Sequence, residues 1–78
     1  MIIEKVAKIL AELMNLEQQD IVGDIELTAE AGFEPLDLAK LIIQCEKAFH
    51  LTIYDEDVHT FKKVKDLVAY IQKAQGDD

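Results

Sequence analysis

The chain contains one cysteine, Cys45, and two histidines, His50 and His59, and both residue types can act as nucleophiles, bases or metal ligands. A cysteine nucleophile needs a base close by to form its thiolate, and neither histidine is placed to activate Cys45. Cys45 also lies on the face of a predicted helix that we expect to be buried, where cysteine usually packs as a small apolar residue. The three residues match no zinc-binding spacing. We therefore expect neither a catalytic centre nor a metal site.

Three consecutive acids, Asp55-Glu56-Asp57, offer oxygen ligands of the kind that calcium prefers. A calcium loop also needs a glycine at its sharp turn and a closing glutamate, and both are absent here. Acids are favoured in the first turn of a helix because they face the positive end of its dipole. We interpret the three acids as the solvated start of a short helix that continues through Val58.

The composition favours a binding or carrier module over an enzyme. The 78 residues are interpreted as one domain, residues 1–78. A domain of that size buries only about 60 to 65% of the surface that its unfolded chain exposes. So thin a core can hardly enclose a water-free active site, and no acid, base and nucleophile converge on one place. We therefore expect no enzyme.

The charge balance restricts the partners. Sixteen acids against eight lysines, with no arginine, give a net charge of −8, which repels nucleic acid and anionic membranes and attracts a partner with a basic patch. One cysteine forms no internal disulfide, and the N-terminal residues lack a basic region followed by a long apolar run. We expect a cytoplasmic, monomeric protein with no segment inserted in a membrane.

Helical spacing of apolar residues predicts a first helix from Ile3 to Leu16. The next segment, from Glu17 to Gly32, shows neither a helical nor a strand period. A loop of this length is uncommon unless its apolar residues pin it to the core or it serves a function. The apolar residues of the helix are Ile3, Val6, Ile9, Leu10, Leu13 and Leu16, and those of the loop are Ile21, Val22, Ile25 and Leu27.

A second helix is predicted from Pro35 to Phe49, a short one from Asp55 to Val58, and a last one from about Lys62 to Ala74. Residues 52–54 are too few to assign as a strand, and residues 76–78 should fray. The predicted fold class is all-α: a small four-helix bundle with three main helices, one short helix and a long loop after the first. The predicted core positions of the second and last helices are Leu38, Leu41, Ile42, Cys45, Phe49, Val64, Leu67, Val68 and Ile71.

Pro35 is explained by helix chemistry alone. At the first helical position the fixed φ of proline suits the helix, and its missing N–H would have had no partner inside the helix. Glu34 before it is a mediocre N-cap, but the charges of Glu34 and Asp37 both suit the positive end of the helix dipole.

The second helix carries another apolar stripe, defined here as Leu36, Ala39 and Ile43, on a different face from the predicted core positions. Either neighbouring elements cover both faces, or this stripe is an exposed patch. The residues alone leave the two readings open. The stripe is bordered by a mixed charged rim of the kind that surrounds docking surfaces. That rim comprises Glu34, Asp37, Lys40, Glu46 and Lys47.

Five segments in order resemble the acyl carrier protein family, over nearly the whole chain. In that family the central segment usually reads Gly-x-Asp-Ser-Leu, and its serine carries the phosphopantetheine arm to which acyl groups are attached as thioesters. The resemblance implies the four-helix fold expected above. The segments are the loop with Leu27, then Gly32-Phe33-Glu34-Pro35-Leu36-Asp37, Glu46-Lys47-Ala48-Phe49, Ile53-Tyr54-Asp55-Glu56-Asp57 and Val64-Lys65-Asp66-Leu67-Val68-Ala69-Tyr70-Ile71.

The chain departs from the family at the position that carries the chemistry. The family's serine aligns with Pro35, which has no hydroxyl for a phosphodiester. The chain contains no serine, and its threonines, Thr28, Thr52 and Thr60, lack the flanking residues of the attachment motif. The resemblance with this departure implies a chain that carries no prosthetic arm and needs no cofactor.

The family's docking positions are better preserved. In the family, the leucine after the serine and an apolar residue two turns later contact partner enzymes, and these match Leu36 and Ile43. The resemblance therefore favours an exposed docking stripe. Acids along the second helix meet basic patches on partners, and Glu34, Asp37 and Glu46 match them. The other two rim residues, Lys40 and Lys47, fall where acids are common, which implies an altered or weaker partner.

Three hypotheses follow from the sequence. The first is an acyl-carrier-like interaction or regulatory module of fatty acid, polyketide or related acyl metabolism, which docks through Glu34, Leu36, Asp37, Ala39, Ile43 and Glu46. Its partner would be a synthase, ligase or transferase with a basic docking patch. The second is an ordinary carrier of acyl thioesters on 4'-phosphopantetheine, in which Pro35 is a variant or engineered change. The third is a domain that holds a fatty acid or another apolar ligand non-covalently between its helices.

Overall fold

Four α-helices form the fold in a computed structural model, which describes residues 1–76. They are α1 (Ile2–Met14), α2 (Pro35–Phe49), α3 (Asp55–Val58) and α4 (Val64–Ala74). Two short 3-10 turns, Gln18–Asp20 and Ala29–Ala31, lie in the connection between α1 and α2. The all-α, four-helix prediction is confirmed. Asp77 and Asp78, for which we expected fraying, lie outside the described residues.

The core lies where α1 packs against both α2 and α4. Its fully buried side chains recur at helical spacing, as in Val6 and Leu10 of α1 and Leu67 and Ile71 of α4. Each such leucine or isoleucine contributes roughly 1.5 to 3 kcal/mol by leaving water. Among residues 1–76 no polar or charged residue is buried, so the core holds no hidden charge. Within the same residues, no helix is long and apolar enough to cross a membrane.

The end of α1 differs from the prediction, which extended the helix and its buried stripe to Leu16. The helix ends at Met14, and Asn15 adopts a left-handed conformation with φ 58° and ψ 46°. The N–H of Leu16 then donates to the carbonyl of Ala11 at 2.8 Å, which turns the chain away from the core. Leu16 is consequently 51% exposed, and its assignment to the buried stripe was wrong.

The loop between α1 and α2 is pinned by a few apolar side chains. Ile21, Leu27 and Phe33 are buried, whereas Val22 is exposed. This pattern confirms that apolar residues hold the loop to the core, as its length required. Because these residues sit in an irregular segment, their spacing follows no period.

Backbone hydrogen bonds join the same loop to the start of α4. The Leu27 N–H donates to the Lys62 carbonyl at 2.8 Å, and the Val64 N–H donates to the Ile25 carbonyl at 2.9 Å. Lys63 between them is extended, with φ −134° and ψ 162°, and pairs with Glu26 in a single antiparallel bridge. The helix therefore begins at Val64, and the predicted start at Lys62 was two residues early.

Candidate functional site

The apolar stripe of α2 is exposed. Leu36 is 65% exposed and Ile43 is 49% exposed, and Ala39 between them is exposed as well. Leu41 and Cys45, on the opposite face, are fully buried against the core. The choice that the sequence left open is thus decided in favour of an exposed patch.

Local hydrogen bonding builds the start of α2. Glu34 is extended, with φ −70° and ψ 153°, and Pro35 follows as the first helical residue, as predicted. The Oδ2 atom of Asp37 accepts the Glu34 N–H at 3.2 Å, which satisfies a backbone donor ahead of the helix. Pro35 is exposed and Asp37 is half-buried. Asp37 therefore holds the helix start in addition to any contact with a partner.

Glu46 also has an internal role that the sequence did not predict. It is half-buried, and its Oε2 atom accepts the Ile53 N–H at 2.8 Å. This bond joins the last turns of α2 to the segment that leads into α3. Of the three acids that we assigned to docking, only Glu34 is exposed, whereas Asp37 and Glu46 are half-buried.

A cleft of about 690 Å³, partly open to solvent, lies beside the stripe between α2 and α3. Ala39 and Ile43, two of the three stripe residues, line it from α2, so the exposed stripe partly borders the cleft. The spacing of apolar residues along the sequence did not predict this cleft, because its walls come from five separate segments. Its lining residues are Leu27, Thr28, Pro35, Leu38, Ala39, Ile42, Ile43, Glu46, Ile53, Asp55, Val58, His59, Phe61 and Lys62.

The lining of the cleft is mainly apolar, with a few polar groups. The polar groups include two acids, Glu46 and Asp55, and one lysine, Lys62. Glu46 is held in place by accepting the Ile53 N–H. Apolar side chains such as that of Phe61 make up most of the lining. The cleft therefore suits an apolar ligand with a polar group.

Helix α3, which forms one wall of the cleft, is held by α4. The Tyr70 hydroxyl donates to Oδ2 of Asp57 at 2.8 Å, and the Tyr70 ring meets the Phe61 ring edge-on with centroids 5.2 Å apart. The hydrogen bond to Asp57 raises the pKa of Tyr70. Asp55 and Glu56 are exposed as predicted, but Asp57 is half-buried and structural, so the reading of all three acids as solvated was wrong for Asp57.

The remaining candidates take no part in this site, apart from His59, which lines the cleft. Cys45 is fully buried, and burial raises the pKa of its thiol to about 12, so it is almost entirely the unreactive thiol at neutral pH. His50 is exposed at the end of α2 in a left-handed conformation with φ 55°. Among the described residues no group of histidine, cysteine, aspartate or glutamate side chains is arranged to hold a metal ion.

Known proteins resemble this chain along nearly its whole length. The family model for a phosphopantetheine attachment site matches residues 4–71. The acyl carrier protein of Phytoplasma mali is 34% identical, covering 94% of this chain and 87% of its own length, and that of Akkermansia muciniphila is 32% identical, with 94% and 91% covered. A solution structure of a protein assigned as an acyl carrier protein, from Anaplasma phagocytophilum, superposes with a TM-score of 0.80 at 28% identity over 99% of this chain and 89% of that one. The exposed stripe, the cleft and the helices that form them thus belong to a chain of the acyl carrier protein family.

Proposed function

We propose that this chain is a single-domain, cytoplasmic acyl carrier homologue that carries no arm and acts as a non-enzymatic docking or regulatory module of acyl metabolism. One observation carries the proposal: the exposed first residue of α2, the position that the resemblance assigns to the family's attachment serine, is Pro35. The helix start keeps its geometry because proline is favoured at that position. The side chain lacks the oxygen that a phosphodiester requires.

Other hydroxyls are poor substitutes for the missing serine. Thr28 accepts the Ala31 N–H in a 3-10 turn, and Thr60 donates to the Asp57 carbonyl at 2.7 Å beyond α3. Thr52 lies in the connection between α2 and α3, away from the start of α2. The residues present therefore do not fit covalent attachment of phosphopantetheine, and we expect no cofactor.

The docking surface in this proposal is the exposed stripe with Glu34 beside it. Leu36 and Ile43 expose large apolar side chains that the fold of the monomer does not use. Asp37 and Glu46 border the stripe but also hold the helix start and the connection to α3. The partner would be a synthase, ligase or transferase that offers an apolar pocket with basic groups near Glu34.

The test is modification by a broad phosphopantetheinyl transferase. The protein is incubated with coenzyme A and the transferase, and its intact mass is measured, with the Phytoplasma mali carrier as a positive control. We expect the mass to remain that of the chain, and a gain of one arm would overturn the proposal. The matched variant Pro35→Ser tests the alternative of an ordinary carrier with one changed residue. Its modification would show that the transferase still reads the surrounding surface.

The cleft supports a second candidate function, the non-covalent binding of a fatty acid. Its apolar lining suits an alkyl chain, and Lys62, which also lines it, carries the charge that pairs with a carboxylate. Native mass spectrometry of freshly purified protein with added palmitate should show a one-to-one complex, and Lys62→Gln should weaken it. An equally stable complex with hexadecanol would contradict a role for the Lys62 charge, and no complex with either would end this candidate.

A further inference from the structure

The outer ridge of α2 combines apolar and cationic side chains on one line. Leu36, Lys40, Ile43 and Lys47 are spaced four, three and four residues apart, so they share one face of the helix. All four are exposed. The ridge spans twelve residues, and its eleven steps of 1.5 Å give a length of roughly 16 Å. It is therefore long enough to form the centre of a helix-sized contact.

The two lysines take part in no ion pair within the described part of the chain. Among residues 1–76 the ion pairs join Lys63 and Lys65 to Asp24 and the N-terminus to Glu4, and neither ridge lysine takes part. The one lysine placed over an aromatic ring is Lys5, above Phe49, within that same part of the chain. The ammonium groups of Lys40 and Lys47 are thus available to a partner, next to apolar side chains that are available too.

The charges of the ridge change sign along it. Glu34 stands exposed before the first turn, whereas the later turns present Lys40 and Lys47. The carboxylates of Asp37 and Glu46 keep their charge, but each accepts a backbone N–H, and among residues 1–76 neither forms an ion pair with Lys40 or Lys47. We propose that this face docks a partner whose apolar pocket is bordered by basic groups at one end, near Glu34, and by carboxylates at the other, near Lys40 and Lys47.

The charges on the ridge itself, rather than the net charge of the chain, decide which partner groups bind there. The protein carries −8 overall, which attracts basic surfaces at long range. At physiological ionic strength the Debye length is about 8 Å, so acids on other faces are largely screened at the ridge. A partner group that touches Lys40 or Lys47 therefore responds mainly to those ammonium groups. A uniformly basic pocket would meet like charges at both positions.

The inference rests on the proposal that this face docks, but its test is separate from arm attachment. The probes are three synthetic amphipathic helical peptides with one leucine face: lysines at both ends, glutamates at both ends, or lysines at one end and glutamates at the other. Binding is read from the amide shifts of α2 in ¹⁵N-labelled protein. We expect the mixed peptide to bind α2 about three- to tenfold more tightly than the all-lysine peptide, from two exposed charge pairs.

Charge reversal makes the test specific. Lys40→Glu with Lys47→Glu should make the all-lysine peptide the tightest ligand. The control variant, Lys8→Glu with Lys73→Glu, changes two exposed lysines on other helices and has the same net charge as the ridge variant. It should bind the three peptides in the same order of affinity as the wild type. The inference is overturned if the all-lysine peptide binds wild-type α2 most tightly, if reversal leaves the order unchanged, or if no peptide shifts the α2 amides. A mass gain in the transferase assay would instead count against the proposed function alone.

Discussion

Replacing Tyr70 with phenylalanine should loosen α3 while the core stays packed. The change removes the hydroxyl that donates to Asp57 at 2.8 Å and leaves the ring against Phe61. A hydrogen bond to a charged acceptor contributes roughly 1.5 to 3 kcal/mol, and partial exposure of both groups reduces this to about 1 kcal/mol. For a domain of this size such a loss lowers Tm by about 4 to 8 °C. Tyr70→Leu, which also removes the edge-on ring contact, should lose about 0.5 to 1.5 kcal/mol more.

Two measurements locate the effect. Urea denaturation gives the free energy of unfolding, and native-state hydrogen exchange gives the opening of the turn amides of Asp57, Thr60 and Phe61. We expect these amides to exchange faster in Tyr70→Phe, while those of α1 change no more than global stability requires. A double-mutant cycle with Asp57→Ala, which removes the acceptor, should show coupling of about 1 kcal/mol. Coupling near zero, or unchanged amide exchange in α3, would refute the claim that the hydrogen bond from Tyr70 to Asp57 holds α3 in place.

The hydrogen bond from Tyr70 to Asp57 also makes the free energy of unfolding depend on pH. The hydrogen bond to Asp57 raises the folded-state pKa of Tyr70 above its ordinary value of 10.0. Because the folded-state pKa is the higher one, this part of the stability is complete below pH 10 and is lost as pH rises through the folded-state value. The difference in stability between the wild type and Tyr70→Phe should therefore narrow above pH 10. If the difference in stability between the two proteins stayed constant up to pH 11, the proposed coupling of stability to ionisation of Tyr70 would be wrong.

Three further predictions concern other parts of the chain. Leu41→Ala should destabilise the fold by about 2 to 5 kcal/mol because Leu41 is fully buried, while Leu36→Ala should stay within about 0.5 kcal/mol in the same urea assay. Cys45 should resist iodoacetamide at pH 8 in the folded state and react fully in urea, since burial raises its pKa to about 12; rapid labelling of folded protein would disprove this. His50→Gly should stabilise the protein by up to about 1 kcal/mol, because His50 has φ 55°, and a lower Tm than that of His50→Ala would count against the reasoning.

The helices were predictable because their signals are local. The bounds of α2, residues 35–49, follow from Pro35 at the start and from the repeat of buried residues up to Phe49. The end of α1 was not predictable from the same signal, because Leu16 continues the apolar period although Asn15 has already turned the chain. Apolar periodicity reports which residues suit a buried face, and the C-terminal turn decides whether the last of them reaches it.

The site was predictable in its exposed stripe and not in its cleft. Leu36 and Ile43 lie off the core face of their own helix, which left their exposure open, and the family resemblance favoured the exposure that the structure shows. The Glu46 bond to Ile53 and the Tyr70 bond to Asp57 join residues seven and thirteen positions apart, across segments whose relative placement no local pattern fixes. The cleft depends on both bonds and on the loop residue Leu27, so it emerged only from the tertiary structure.

The central claim, that this chain keeps the carrier fold without the arm, is tested most directly by the intact mass of the protein purified from its natural host. Synthesis there exposes the chain to the transferases and coenzyme A that it meets in its own cell. We expect the mass of the polypeptide alone, with Pro35 confirmed by fragmentation of the segment from Gly32 to Leu41. A species heavier by one phosphopantetheine group, on any residue of the chain, would contradict it.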